Sequence, residues 1–144
     1  MNLEQAISIA SLAHAGQFDK GGESYILHPL RVMMKLNDEK QRIVAVLHDV
    51  IEDTDITSLY LLKQGLDHEL VNHILTLSRN KDENYDEYIN RISKDEFAIR
   101  VKLADLEDNI DMSRIKNPTG KDYDRLAKYG KAREKLMNAL VDMI

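Results

Sequence analysis

A histidine and three carboxylates lie within two helical turns of an otherwise apolar segment. In the stretch VLHDVIEDT, residues 46–54, Asp49 follows His48 directly, and Glu52 and Asp53 come one turn later. Imidazole and carboxylate groups can hold a divalent cation or move protons during hydrolysis. On a helical projection the four side chains share one face, opposite an apolar stripe. The solvated face of an ordinary amphipathic helix has the same pattern, so this segment alone leaves both interpretations open.

A second segment, AIRVKLADLEDNIDMSRI, also carries polar residues at helical spacing. Lys102, Asp105 and Asn109 fall on one face, away from a stripe of leucines and isoleucines, and Asp105 and Asn109 are one turn apart. A solvated helix face again explains this pattern when it is taken alone. His28, in a histidine–proline pair, is equally ambiguous, because a histidine at a helix start can simply lie near a cap.

The elements that must position these residues are helical. Apolar residues recur at helical spacing along almost the whole chain, which two prolines and six glycines interrupt, and no segment alternates like a strand. The sequence therefore predicts an all-α fold of about seven or eight helices. They are expected over about residues 3–16, from 29 onward, and over about 39–51, 56–65, 67–77, 85–92, 95–112 and 121–144. The loops 16–27 and 78–84 are long for helix connections, which makes them candidate binding loops.

Length and composition narrow the class of protein. A chain of 144 residues fits a single domain with one core, and we assign residues 1–144 to it. There is no cysteine, so any metal must be held by histidines and carboxylates. The net charge of -5, with dispersed lysines and arginines, argues against binding to a nucleic-acid backbone and favours a small substrate.

The amino terminus does not resemble a targeting signal. Glu4 stands where a signal peptide would need positive charge, and no apolar run approaches the length of a membrane span. We therefore expect a cytoplasmic protein with no membrane partner.

Three motifs, in this order and at these spacings, resemble one known family. AHAGQFDKGGESYILHP, VLHDVIEDT and VKLADLEDN are similar to the hydrolase domain of the RelA/SpoT family and to its short stand-alone relatives, the small alarmone hydrolases. The resemblance covers roughly residues 1–130 and implies an HD-domain helical bundle. It also implies a metal-dependent phosphohydrolase that removes the 3′-pyrophosphate from guanosine tetra- or pentaphosphate.

The resemblance implies a metal site and a catalytic pair. The family's metal ligands fall on His28, His48, Asp49 and Asp105. Two imidazoles and two carboxylates suit Mn²⁺, the family's metal, or Fe²⁺, and they do not exclude Zn²⁺. The family's acidic pair falls on Glu52 and Asp53, which would position the attacking water and handle its proton.

Two substrate contacts also carry over from the family. Asn109 matches an asparagine that helps to hold the substrate, and Lys20 matches the lysine of a basic loop. Asp19 departs from the pattern, because the family has an arginine beside that lysine. An anion near a polyphosphate is repulsive, so this departure bears on which substrate is bound.

The polar loop before NYDEYI offers replacements for the lost charge. Arg79 and Lys81 could meet a phosphate there, while Tyr85 or Tyr123 could stack on a base. A charged loop that is merely solvated is the alternative.

Two other functions stay open at this point. One is an HD-type phosphatase that acts on another phosphorylated nucleotide such as NADPH, and the other is a catalytically silent nucleotide-binding sensor. The acidic pair beside an intact ligand set argues against the sensor. The expected partner is a small phosphorylated nucleotide, and we expect a protein that hydrolyses the alarmone but does not make it. We expect a structural role for His14, and surface or packing roles for His68 and His73.

Overall fold

The computed structural model describes residues 1–144 and contains nine α-helices. These are α1 (Leu3–Ala13), α2 (Leu27–Met34), α3 (Glu39–Leu47), α4 (Val50–Asp53), α5 (Ser58–Lys63), α6 (His68–Leu77), α7 (Tyr85–Ile92), α8 (Glu96–Ile110) and α9 (Gly120–Met143). The only β pairing is an isolated bridge between Phe18 and Ser24. The predicted all-α class is confirmed, and none of the nine helices is both long and apolar enough to cross a membrane.

The helix predicted over residues 39–51 is interrupted at the histidine–aspartate pair. His48 caps the end of α3, and Asp49 begins the single turn of α4. The His48 amide bonds the carbonyl of Ala45, only three residues back, and its imidazole Nδ1 lies 2.5 Å from the same oxygen. This tighter local bonding ends α3. It accounts for one helix more than the eight expected segments, and residues 43–53 are therefore not one continuous solvated face.

The helix α3 lies at the centre of the fold. It packs against α1, α2, α6 and α8, and every residue from Ile43 to Leu47 is buried. The second half of α3 is apolar on every side and is enclosed by these helices, which explains why His48, the residue that caps its end, is only 3% exposed. A polar side chain at such a place needs hydrogen-bond partners to offset its desolvation.

The helix α8 also buries polar residues. It packs against α2, α3, α6 and α9, which leaves Lys102 only 8% exposed and Asp105 only 3% exposed. Asp108, one turn further on, is buried as well. The simpler expectation of a solvated face is therefore wrong for α8, because neighbouring helices cover both of its sides.

Candidate functional site

Three parts of the fold bring the four expected metal ligands together. His28 comes from α2, His48 and Asp49 from the α3–α4 junction, and Asp105 from α8. Asp105 Oδ1 lies 2.8 Å from His28 Nε2 and 3.2 Å from His48 Nε2, while Asp49 Oδ2 lies 3.1 Å from His48 Nε2. The ligand atoms of His28, His48 and Asp49 all lie within 4.8 Å of one another. This arrangement can hold a divalent cation.

The imidazole of His48 is oriented by the backbone. A carbonyl oxygen only accepts hydrogen bonds, so the Nδ1 that faces Ala45 must carry the proton and donate it. When the ring is neutral, the lone pair is therefore on Nε2, the nitrogen that faces Asp49 and Asp105. A histidine that binds a metal through Nε2 needs this tautomer. The donor set of the cluster thus fits a cation of intermediate hardness.

Opposite charges shift the pKa values of the two histidines. Burial lowers the pKa of His28, but its hydrogen bonds with Asp105 and Asp108 outweigh burial and raise the pKa to about 9. Burial also opposes the protonation of His48, yet the charges of Asp49 and Asp105 raise its pKa well above the usual value. Both imidazoles therefore hold protons at neutral pH that a bound cation would displace.

The two carboxylates of the cluster stay ionised. Burial alone would raise the pKa of Asp49, and the neighbouring His48 lowers it to about 2. Burial is also overcome at Asp105, where Lys102 and then His48 hold the pKa well below its usual range. Lys102 Nζ lies 2.8 Å from Asp105 Oδ2, and this leaves Oδ1 for the histidines. The hydroxyl of Tyr25 donates to Asp49 Oδ2 at 2.5 Å.

The cluster opens into a cavity of about 500 Å³. His28, Asp49 and Asp105 line it, and so do the two residues of the expected acidic pair, Glu52 and Asp53. A volume of this size lies within the range of small-molecule sites.

Glu52 and Asp53 differ in their surroundings. Burial, followed by the charges of Asp49 and Glu52, raises the pKa of Asp53 to about 6. Glu52 accepts a hydrogen bond from the backbone N–H of Arg79 at 2.6 Å. Near neutral pH Asp53 can exchange a proton with water, whereas Glu52 is held by the loop between α6 and α7.

Seven cations also line the cavity. They are Lys20, Arg31, Arg79, Lys102, Arg114, Arg125 and Lys128. Burial and then the charge of Arg125 lower the pKa of Lys20, and burial and then the charge of Arg79 lower that of Lys128. Carboxylates line the cavity as well, and they pair with Arg31, Lys102, Arg114 and Arg125, so Lys20, Arg79 and Lys128 are the cations left to meet an anionic ligand.

Comparison with known proteins gives this site a family context, although no model of a known protein family matches the chain. The chain is 33% identical over 138 residues to a guanosine-3′,5′-bis(diphosphate) 3′-pyrophosphohydrolase of Borreliella burgdorferi, a match that covers 86% of the chain. It is 34% identical over 119 residues to the protein of the same name from Aquifex aeolicus, and this match covers 75% of the chain. It is 37% identical over 123 residues to the bifunctional (p)ppGpp synthase/hydrolase SpoT of Escherichia coli, also over 75% of the chain.

The chain is a relative of the RelA/SpoT-type hydrolases. It spans only 20%, 17% and 17% of the length of these three relatives. A solved structure, described as a metazoan ortholog of SpoT that hydrolyses ppGpp, superposes with a TM-score of 0.76. That match covers 96% of the chain and 84% of the solved one at 24% identity, so it shows the fold.

The loop that departs from the RelA/SpoT pattern has a structural reason for its aspartate. Asp19 Oδ1 accepts hydrogen bonds from the backbone N–H groups of Gly21 and Glu23, each at 2.9 Å. A side chain at Gly21 would place its Cβ 3.0 Å from the carbonyl oxygen of Arg114, so the loop packs tightly there. Asp19 thus shapes the loop that presents Lys20 to the cavity.

The expected substrate contacts divide into two groups. Lys20, Arg79 and Asn109 line the cavity, and Asn109 Nδ2 lies 3.5 Å from Asp105 Oδ1. Tyr123 does not line it and is 57% exposed, so the geometry of the cavity gives no support to the predicted stacking role of Tyr123. Tyrosines do line the cavity at positions 25, 85, 88 and 129. Lys81 lies outside it as well.

The remaining histidines contribute no atom to the cluster. His14 is buried, with Nδ1 2.8 Å from Gln17 Oε1 and its ring centroid 4.9 Å from that of Tyr25. His73 bonds Asp95 at 2.8 Å, and His68 is exposed.

Sequence reasoning missed the residues that support the ligands. Asp108 bonds His28, Arg31 bonds Asp108, and Tyr25 bonds Asp49. A signal existed for two of them: Arg31 follows His28, and Asp108 follows Asp105, by three residues on a helix, which places each on the same side as a ligand.

Proposed function

We propose that this chain hydrolyses guanosine 3′,5′-bis(diphosphate), or the corresponding pentaphosphate, to GDP or GTP and pyrophosphate. One observation carries the proposal: four potential ligand atoms converge beside a cavity that two acidic residues and a set of cations also line. The names of the curated relatives point to the substrate class.

We propose that His28, His48, Asp49 and Asp105 hold a divalent cation. Mn²⁺ is the first choice, and Fe²⁺ and Zn²⁺ suit the same mixed set of nitrogen and oxygen donors. When bound, the cation would supply a Lewis acid that neutralises phosphate charge and lowers the pKa of water.

Glu52 and Asp53 are assigned to the water and its proton. The pKa of about 6 at Asp53 suits a general base that is ionised at neutral pH yet able to accept a proton. Glu52 is fixed by the Arg79 amide, and a fixed acceptor can orient a water molecule for attack. Neither residue is assigned as a ligand.

Four of the cations that line the cavity are assigned to the phosphates. Lys20, Arg79, Arg125 and Lys128 line the same cavity as the cluster, and their charges oppose those of a diphosphate. Asn109, beside Asp105, is assigned to hold the substrate at the reacting end. Tyr85 and Tyr129 offer the aromatic surface on which a base can stack.

The reaction has a simple balance of bonds. The water oxygen forms a bond to the phosphorus that is attached to the 3′ oxygen, and the bond between that phosphorus and the 3′ oxygen breaks. The 3′ oxygen takes a proton, and pyrophosphate leaves with the water oxygen. The cations offset the negative charge that develops on the phosphoryl oxygens.

A product assay tests the proposal. Chain stripped of metal by chelation is supplied with Mn²⁺ and incubated separately with guanosine tetraphosphate and with NADPH, and the products are resolved by anion-exchange chromatography. We expect pyrophosphate and GDP from guanosine tetraphosphate, and only with the metal present. Orthophosphate from NADPH as the main product, or tight nucleotide binding without turnover, would contradict the proposal.

A further inference from the structure

We infer that Asp108, locked in place by Arg31, is a positioning residue that sets the tautomer and the orientation of His28 for cation binding. This inference rests on the proposed metal site. It concerns a residue that is itself neither a proposed ligand nor a proposed proton carrier.

The Asp108 carboxylate is fully engaged. Its Oδ2 lies 2.7 Å from His28 Nδ1 and 3.1 Å from Arg31 Nη2, and its Oδ1 lies 2.7 Å from Arg31 Nε. Arg114 Nη2 approaches Oδ2 at 3.4 Å and donates to the backbone oxygen of Asp108 at 3.1 Å. The residue is 2% exposed. A bidentate contact with the Arg31 guanidinium at such a buried position prevents the carboxylate from rotating.

A fixed carboxylate determines which nitrogen of His28 is free. An ionised carboxylate can only accept hydrogen bonds, so His28 Nδ1 must carry the proton. Nε2 faces Asp105 Oδ1 at 2.8 Å and donates to it in the metal-free protein, so Nε2 is the nitrogen whose proton is lost when a cation binds. Partners of this kind fix the ring of a metal-binding histidine and raise the basicity of the nitrogen that binds.

The residue spacing along α2 and α8 places the supporting side chains beside the ligands. On α2, Arg31 follows His28 by three residues, and on α8, Asp108 follows Asp105 by three residues. The helices pack against each other, so a ligand and a supporting residue from α2 face a ligand and a supporting residue from α8.

The two histidines of the cluster differ in a way that makes the inference testable. His48 is oriented by the carbonyl of Ala45, which no substitution removes. His28 is oriented by a side chain. Asp108 is therefore the side chain through which the orientation of a histidine ligand can be altered while all four ligands are kept.

Asp108→Asn is the informative change. The amide has nearly the same shape, but it can donate as well as accept, so it no longer dictates the tautomer of His28. A matched control exists, because Asp95 makes the same kind of contact with His73, at 2.8 Å, outside the cavity. Asp95→Asn keeps an acceptor for the Ala98 amide that Asp95 caps.

The test is the dissociation constant for Mn²⁺ alone, measured by titration of chelator-treated wild type, D108N and D95N, with thermal melting to show that each is folded. We expect the D108N constant to rise on the order of 10- to 100-fold and the D95N constant to stay within about twofold of wild type. A folded D108N protein with the affinity of wild type would overturn the inference and leave the metal site standing. No Mn²⁺ binding by wild type would overturn both.

A second measurement covers the case in which D108N does not fold. In wild type loaded with diamagnetic Zn²⁺, the ¹⁵N chemical shifts and long-range ¹H–¹⁵N couplings of His28 report which nitrogen carries the proton. We expect a protonated Nδ1. A protonated Nε2 in the loaded protein would overturn the inference.

Discussion

Arg91 holds the loop between α6 and α7, and its removal should damage catalysis from outside the cavity. Its guanidinium donates to both carboxylate oxygens of Glu83, at 2.8 and 2.9 Å, and to the carbonyl oxygens of Thr76 and Ser78, at 2.8 and 2.9 Å. Arg91 does not line the cavity. The loop that it holds supplies Arg79, whose amide bonds Glu52.

The magnitude follows from these contacts. A charge-assisted hydrogen bond contributes about 1.5–3 kcal/mol when buried, but the Arg91 side chain is 32% exposed, which screens its charge. We therefore expect Arg91→Met to release the loop at a cost of about 2 kcal/mol. If the bound substrate must restore that order, kcat/KM falls by about 30-fold.

Three measurements follow the effect. Hydrogen exchange at the Arg79 amide should accelerate, kcat/KM for guanosine tetraphosphate should fall, and the Mn²⁺ dissociation constant should not change. The control is Arg100→Met, because Arg100 pairs with Glu96 only at 3.8 Å on an exposed face. Faster exchange at Arg79 with kcat/KM within twofold of wild type would refute the reasoning, since the loop would then be free without consequence.

Three further predictions concern single residues. Because burial and neighbouring charges raise the pKa of Asp53 to about 6, kcat should fall as the pH drops through about 6, and Asp53→Asn should lower kcat and abolish this dependence; an unchanged profile would remove Asp53 as the base. Lys102→Met leaves the buried Asp105 with only the two histidines as cationic partners, so urea unfolding of the metal-free protein should show a loss of up to about 3 kcal/mol that Mn²⁺ partly restores, and an unchanged midpoint would contradict this. Asp19→Asn keeps an acceptor for the loop amides and removes a negative charge, so KM for guanosine tetraphosphate should fall several-fold; an unchanged KM would show that Asp19 does not face the substrate.

The parts of the fold and of the candidate site that could be predicted from sequence depend on the spacing of residues close together in the chain. Apolar periodicity located the helices because each must bury a stripe, and the order of the three motifs pointed to residues that the structure does bring together, such as His28 and Asp105. The break at His48 was not predictable in this way, because it arises from a hydrogen bond that α3 makes only where its end is enclosed.

The other differences between the sequence-based predictions and the structure arise from the packing between helices. Sequence spacing places Asp108 on the side of α8 that carries Asp105, but only the approach of α2 gives it His28 and Arg31 as partners. Tyr123 and Tyr129 are six residues apart on α9, about 240° around the helix, so just one of them can face the cavity. The structure places Tyr129 there, because α9 packs on α8.

The most direct test of the central claim is the release of pyrophosphate from guanosine tetraphosphate as a function of bound Mn²⁺. We expect no release from metal-free chain and a rate that rises with occupancy and saturates near one Mn²⁺ per chain. His48→Ala should neither bind the metal tightly nor release pyrophosphate, whereas His68→Ala, which alters an exposed histidine, should match wild type in both. Full release by metal-free chain, or by His48→Ala, would contradict the account.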